Sequence, residues 1–134
     1  MTDYLRNPEE IYRKSFAIVR EETDLSRVST EIAEIVTRLV HACGMPEIAS
    51  DIAYSDGLVS AGRKALADGK SIVTDVRMLD AGIIRHRLPA SNSVLCAIGD
   101  EGLAEEAKSR NTTRSAVAIE KLSDAWTGGI VAIG

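Results

Sequence analysis

Of the two histidines in the chain, His41 has the setting that suits imidazole chemistry; it lies in the run Arg38-Leu39-Val40-His41-Ala42-Cys43-Gly44. If the residues from Ser29 onward are helical, Ile32, Val36, Leu39 and Cys43 recur at spacings of three and four and form an apolar stripe, widened by Ile35 and Val40. His41 falls outside that stripe, on a face shared with Glu34, Thr37 and Arg38, and so should project away from the core. Gly44 is a natural terminator, because glycine accepts the left-handed conformation common just past a last helical turn. An imidazole in that turn faces the negative end of the helix dipole, which favours the protonated form needed by an acid or hydrogen-bond donor. The pattern alone is equally satisfied by a polar residue that merely suits a helix end, and that is the commoner case.

The other candidates are weaker on spacing alone. Ser15 falls in the buried sector of an earlier helix, where its hydroxyl is either a small spacer or a donor lining a pocket. Arg85, His86 and Arg87 form a short basic run that serves a polyanion or, more commonly, a solvated edge. Cys43 and Cys96 sit in apolar segments without CxxC or zinc-ligand spacing, so they read as reduced core thiols and no metal site is expected. No GxGxxG, P-loop or GxSxG motif is present, and Gly128-Gly129 precedes its strand, so it is not a phosphate-binding turn of that type.

The elements that must position these residues follow from pattern and punctuation. Asn7-Pro8-Glu9-Glu10 is a helix start with Asn7 as cap, and the helix should reach about Glu22, burying Ile11, Phe16, Ile18 and Val19. Asp24 to Arg27 interrupts, and Ser29 caps the helix that carries His41. Beyond Pro46, Ile48–Tyr54 reads as a weak first strand, followed by a helix capped by Asp56 and ended by Asp68-Gly69. Strands are expected over Ser71–Asp75, Ser93–Ile98 and Ile130–Ile133. Between them come a short helix from Val76 to Ala81, a charged exposed helix or loop from Glu101 to Arg110, and a helix capped by Asn111 or Thr112. That last helix should bury Ala116, Ile119, Leu122 and Trp126.

This alternation predicts a three-layer α/β domain, Rossmann-like, with a mostly parallel sheet of about four strands preceded by two helices, all in one domain over residues 1–134. A single chain of this length buries roughly two-thirds of its extended surface, enough for a core without staples. Only 4% of residues are aromatic, so that core is aliphatic, as parallel sheets prefer. The net charge of -4 argues against a nucleic-acid partner. The polar N-terminus and the lack of a long apolar run argue against a secretory leader and a membrane span, and the cytoplasm is the expected compartment. In such sheets ligands bind beyond the carboxyl ends of the strands, which would gather Asp75, the segment from Ile98 to Arg114, and Gly134 on one rim.

Several segments in order resemble the precorrin-8X methylmutase family. They are Ile11-Tyr12 with Ser15-Phe16-Ala17-Ile18-Val19-Arg20, Val40-His41-Ala42-Cys43-Gly44, Arg87-Leu88-Pro89-Ala90 with Asn92, Asn111-Thr112 with Arg114-Ser115-Ala116, and Val131-Ala132-Ile133-Gly134. The resemblance implies an isomerase of cobalamin biosynthesis that moves a methyl group from C-11 to C-12 of precorrin-8X or cobalt-precorrin-8, without a redox cofactor or a methyl donor. It implies His41 as the catalytic acid or hydrogen-bond donor. It also implies Ser15, Arg114, Thr112, Asn92 and Arg87 as residues that bind the tetrapyrrole substrate, and a homodimer as the assembly. Arg114, at a helix start beside Thr112, would take a peripheral carboxylate. Arg85 is a further carry-over. Two departures stand out. Ser91 replaces a glycine common in the family, which would strain the loop if that glycine has positive φ. Family members also continue past the position of Gly134 through another helix and more sheet, so the chain reads as lacking the C-terminal part. The alternative expectation is therefore a non-catalytic, corrinoid-binding remnant.

Overall fold

The computed structural model describes residues 4–134, and its Cα packing divides into two units, one up to Val59 and one from Ser60. In the first unit, Asn7 Oδ1 accepts from the amides of Glu9 and Glu10 and starts α1 (Pro8–Glu22). Ser29 Oγ accepts from Ile32 N–H at the start of α2 (Thr30–Cys43), and Gly44, at φ 70°, ends it in the left-handed conformation. Both boundaries fall where the capping residues place them.

The buried faces are rotated from those the apolar pattern suggests. In α2 the core residues are Ile32, Val36 and Val40, packed against Val19, Leu25, Val28, Ile48 and Ile52, whereas Ile35, Leu39 and Cys43 are exposed. Thr37, expected beside His41 on the outer face, is fully buried. Its hydroxyl donates to Ala33 C=O at 2.7 Å, so its polarity is satisfied inside its own helix and it is buried without an orphaned donor. In α1 only Phe16 is buried; Val19 is half-buried, while Ile11 and Ile18 face outward. Cys43 is thus not a core thiol, and Cys96 is only half-buried.

The strand expected over Ile48–Tyr54 is instead a 3-10 helix, Pro46–Ser50, followed by a turn. Pro46 opens it with its fixed φ, Met45 C=O accepts from Ile48 N–H, and Ile48 C=O accepts from Asp51 N–H. Ile48 and Ile52 keep their burial by packing on α2, a use of four-residue spacing that a strand does not share.

After α3 (Leu58–Ala67), Gly69 turns the chain into the second unit's sheet. Its three parallel strands lie in the order β2-β1-β3, with β1 Ile72–Thr74, β2 Val94–Leu95 and β3 Ile130–Ala132. Every residue of the central strand is buried, and α4 (Arg77–Gly82) and α7 (Ser123–Trp126) pack on it. The strand expected over Ser93–Ile98 is only two residues long, because the chain leaves the sheet after Leu95 and sends Ala97 into a separate cluster with Leu103, Ala107, Val117 and Ala118.

That cluster holds α5 (Leu103–Ser109) against α6 (Arg114–Lys121), so the charged segment after Asp100 is an anchored helix with Leu103 and Ala107 buried, not an exposed one. Arg110 ties the two helices through Glu106 and Glu120; Glu120 first, then Glu106, push its guanidinium further above its ordinary value. Neither Asn111 nor Thr112 caps α6. Asn111, at φ 50°, and the Thr112 N–H, which donates to Ala107 C=O, close α5, and Thr113 Oγ1 caps α6 by accepting from Ala116 N–H. Asparagine tolerates the left-handed region better than most residues, which suits Asn111 to that stop. The expected single helix breaks at Leu122, so Val117 and Ala118 are its buried residues while Ala116, Ile119, Leu122 and Trp126 are half-buried. Ser91 is not among the residues with positive φ, so the loop carries no strain there.

Candidate active site

In the first unit α1 and α2 pack together and bring Ser15 to His41 across 26 residues of sequence: Ser15 Oγ and His41 Nδ1 are 2.9 Å apart. A serine hydroxyl donates or accepts, so it meets the ring nitrogen in either protonation state. In the imidazolium, and in the tautomer it leaves after giving up its Nε2 proton, Nδ1–H donates to Ser15.

Two aromatic rings frame the imidazole. The Tyr12 ring centroid is 5.2 Å from that of His41, and the Phe16 ring is 4.9 Å away in an edge-on arrangement. Tyr12 and Phe16 are themselves 4.7 Å apart. Phe16, the buried member, is the hub, with Arg38 Cζ 5.4 Å and Arg20 Cζ 5.8 Å from its ring centroid. Both distances fall in the range of cation–π attraction. Arg20 also donates through Nη2 to both oxygens of Glu34, at 3.0 and 3.3 Å. Spacing places Phe16 only as a core residue and Arg38 only as a neighbour of His41 on one face, and it does not single out Tyr12. The available signal was that Tyr12, Ser15 and Phe16 share one face of α1, and that Arg38 precedes His41 by one helical turn.

The remaining expected site residues lie in the second unit. Asn92 works within the fold: its Nδ2 donates to Leu66 C=O and Lys70 C=O, each at 2.9 Å, and its Oδ1 accepts from Ala90 N–H at 3.2 Å. Arg114 is the exposed first residue of α6, directly after the Thr113 cap, with Thr112 exposed just before it. Arg87 is exposed in a 3-10 turn, Arg85–Arg87, where Arg85 pairs with Asp80 at 2.7 Å. At the carboxyl ends of the strands Asp75 is 5% exposed, and its Oδ1 accepts from Gly134 N–H at 3.0 Å, joining the ends of β1 and β3. Among the described residues no group of three or more His, Cys, Asp or Glu side chains could hold a metal ion, and no helix is long and apolar enough to cross a membrane.

A helix pair presenting a serine-bound histidine, joined in sequence to a parallel α/β sheet, defines a mixed α/β protein with a polar site on helices. Comparison with known proteins identifies it further. The family model described as precorrin-8X methylmutase matches residues 10–134. The precorrin-8X methylmutase of Pseudomonas aeruginosa is 40% identical over 134 residues, covering 100% of this chain and 64% of that protein. That of a Sinorhizobium species is 43% identical over 132 residues, covering 98% and 63%. The cobalt-precorrin-8 methylmutase of Priestia megaterium is 33% identical over 128 residues, covering 95% and 57%. Among solved structures, the precorrin-8x methyl mutase from Thermus thermophilus superposes with a TM-score of 0.77 at 32% identity, over 94% of this chain and 62% of that one. The chain belongs to the precorrin-8X methylmutase family. It spans less than two thirds of the length of these relatives.

Proposed function

We propose that the chain acts as a methylmutase, an isomerase that moves the C-11 methyl group to C-12 of precorrin-8X or cobalt-precorrin-8 in cobalamin biosynthesis. The observation that carries this reading is the Ser15–His41 hydrogen bond, which joins two residues implied for the reaction and fixes one ring nitrogen. His41 Nε2 then donates a proton or hydrogen bond to the macrocycle as the methyl moves, and Ser15 sets the orientation of the ring. Arg114, Thr112 and Arg87 bind peripheral groups of the substrate, Arg114 taking a carboxylate, while Asn92 shapes the loop that precedes β2. The assembly is a homodimer in the cytoplasm. Exposed Ile11, Tyr12, Ile18, Ile35 and Leu39 on the helix pair support an apolar surface that a second copy would cover.

The test is conversion of a precorrin-8 substrate to the corrin chromophore, followed by visible absorbance. His41→Ala should bind pigment yet lose about 10²- to 10⁴-fold in rate, the usual contribution of a positioned acid. Turnover by that variant at the wild-type rate would remove His41 from the chemistry. Pigment binding by the wild-type chain without conversion would favour the second reading, a corrinoid-binding protein, which apolar exposure at the outer strand supports: Val131 in β3 is 41% exposed and Ile133, just after it, 69%.

A further inference from the structure

Two polar contacts cross from α1 to α2 at different levels. Ser15 bonds His41 at 2.9 Å, and Arg20 Nη2 donates to both carboxylate oxygens of Glu34, at 3.0 and 3.3 Å. Ser15 precedes Arg20 on α1 while His41 follows Glu34 on α2, so the two helices run antiparallel. Ser15 to Arg20 covers about 7.5 Å of α1, and Glu34 to His41 about 10.5 Å of α2, at about 1.5 Å of rise per residue. Apolar packing defines this register weakly, because Phe16 is the buried residue of α1 and Val19, half-buried, is its contribution to the cluster around Val36. A shift of one helical rise, about 1.5 Å, is enough to spoil the geometry of the Ser15–His41 bond. The Arg20–Glu34 pair opposes such a shift, and Arg20 also lies 5.8 Å from the ring centroid of Phe16, the neighbour of Ser15. Its side chains are 44% and 56% exposed, so the pair adds little to stability. Register is the best-attested use of a polar contact between packed helices.

We infer that Arg20 and Glu34 are positioning residues, whose ion pair sets the register of α1 on α2 in which Ser15 Oγ meets His41 Nδ1. They act through the serine and touch neither the imidazole nor the substrate. The effect on rate rests on the methylmutase reading, whereas the effect on the imidazole stands without it. A pair of this kind leaves the fold nearly as stable when it is broken and loosens the one hydrogen bond that orients the ring.

The experiment follows the His41 ring nitrogens by nitrogen NMR, and methyl migration by visible absorbance, with the full chain as wild type, Glu34→Gln, Arg20→Gln and the charge-reversed double variant Arg20→Glu with Glu34→Arg. Glu34→Gln removes the charge partner and keeps Arg20 beside Phe16. Each single variant should move the Nδ1 signal toward that of Ser15→Ala. Each should also lower kcat about 3- to 10-fold, up to the worth of one neutral hydrogen bond, with KM held within about twofold. Because the effect passes through the serine, Glu34→Gln should cost no further rate in a Ser15→Ala background. The charge-reversed pair should recover part of both readouts relative to Arg20→Gln. An Nδ1 signal unchanged in both single variants overturns the inference, as does a reversed pair no better than Arg20→Gln, or full additivity with Ser15→Ala. If the signal moves as expected while the wild-type chain converts no precorrin-8 substrate, the register role stands and the methylmutase reading fails.

Discussion

Ser15 Oγ and His41 Nδ1 meet at 2.9 Å, so α1 holds the imidazole that α2 carries. Replacing Ser15 by Ala removes one hydrogen bond and leaves the ring packed against Tyr12 and Phe16. The expected cost is a rate loss of up to about tenfold, the worth of a neutral hydrogen bond, and much smaller than that of His41→Ala. Nitrogen NMR of the imidazole should show a changed balance of Nδ1–H and Nε2–H tautomers in Ser15→Ala. An unchanged balance would mean that the serine does not set the tautomer.

Asn92 ties the loop before β2 to the end of α3 and the turn after it with two hydrogen bonds and braces that loop with a third. Asn92→Ala should destabilise the fold by about 2–4 kcal/mol in denaturant unfolding. Asn92→Asp should be no milder, because it points one carboxylate oxygen at the Leu66 and Lys70 carbonyls in place of the two N–H donors of Nδ2. A variant of unaltered stability and raised KM would instead make Asn92 a substrate contact.

Asp24 lies in the turn between α1 and α2, where Ser26 donates twice to its Oδ1, from the hydroxyl at 2.6 Å and from the backbone N–H at 3.0 Å. The hydroxyl first, then the backbone amide, hold this carboxyl below its ordinary value of 3.8. A carboxyl depressed in the folded state adds stability above its unfolded value and loses it as pH falls through the folded one, so the turn weakens only in acid below about pH 4. Ser26→Ala should move the Asp24 midpoint upward, as read by carboxyl NMR titration. A midpoint that stays put would assign the shift to some other group.

Much of this architecture is legible from local chemistry, and the exceptions have physical causes. Asn7, Ser29 and Gly44 mark helix ends because capping is settled by residues within one turn. The buried face of α2 is less legible, since Ile32 and Val36 belong equally to the stripe ending at Leu39 and Cys43 and to the one ending at Val40. What decides is Thr37, whose hydroxyl bonds inside its own helix, so a polar residue takes a core position that an apolar count cannot assign. Ile48 and Ile52 suit a strand or a turn of helix, and Pro46 tips the balance. The pairing of Ser15 with His41 depends on how two helices pack, and no spacing within either helix encodes it; only resemblance to a family put the two together. Spacing places Arg38 beside His41, but not over Phe16, because that ring lies on the other helix.

Gly99 and Gly129 are both crowded, yet substitution should separate them. A β-carbon on Gly99 would fall on the Arg77 guanidinium, 2.9 Å from Cζ, the far end of a flexible side chain that can swing into solvent. A β-carbon on Gly129 would lie 2.6 Å from Ser71 C=O and 3.2 Å from Ala125 C=O. Those are backbone atoms, and the first belongs to the residue whose carbonyl accepts from Ile130 N–H where β3 joins β1. Relief there requires the strands to part. Gly99→Ala should therefore change stability by less than about 0.5 kcal/mol, as at an ordinary surface site. Gly129→Ala should cost about 1–3 kcal/mol, the usual range for overpacking. Parallel thermal melts of the two variants decide the matter. Equal losses would mean that Arg77 is held over Gly99 as firmly as the backbone is held at Gly129.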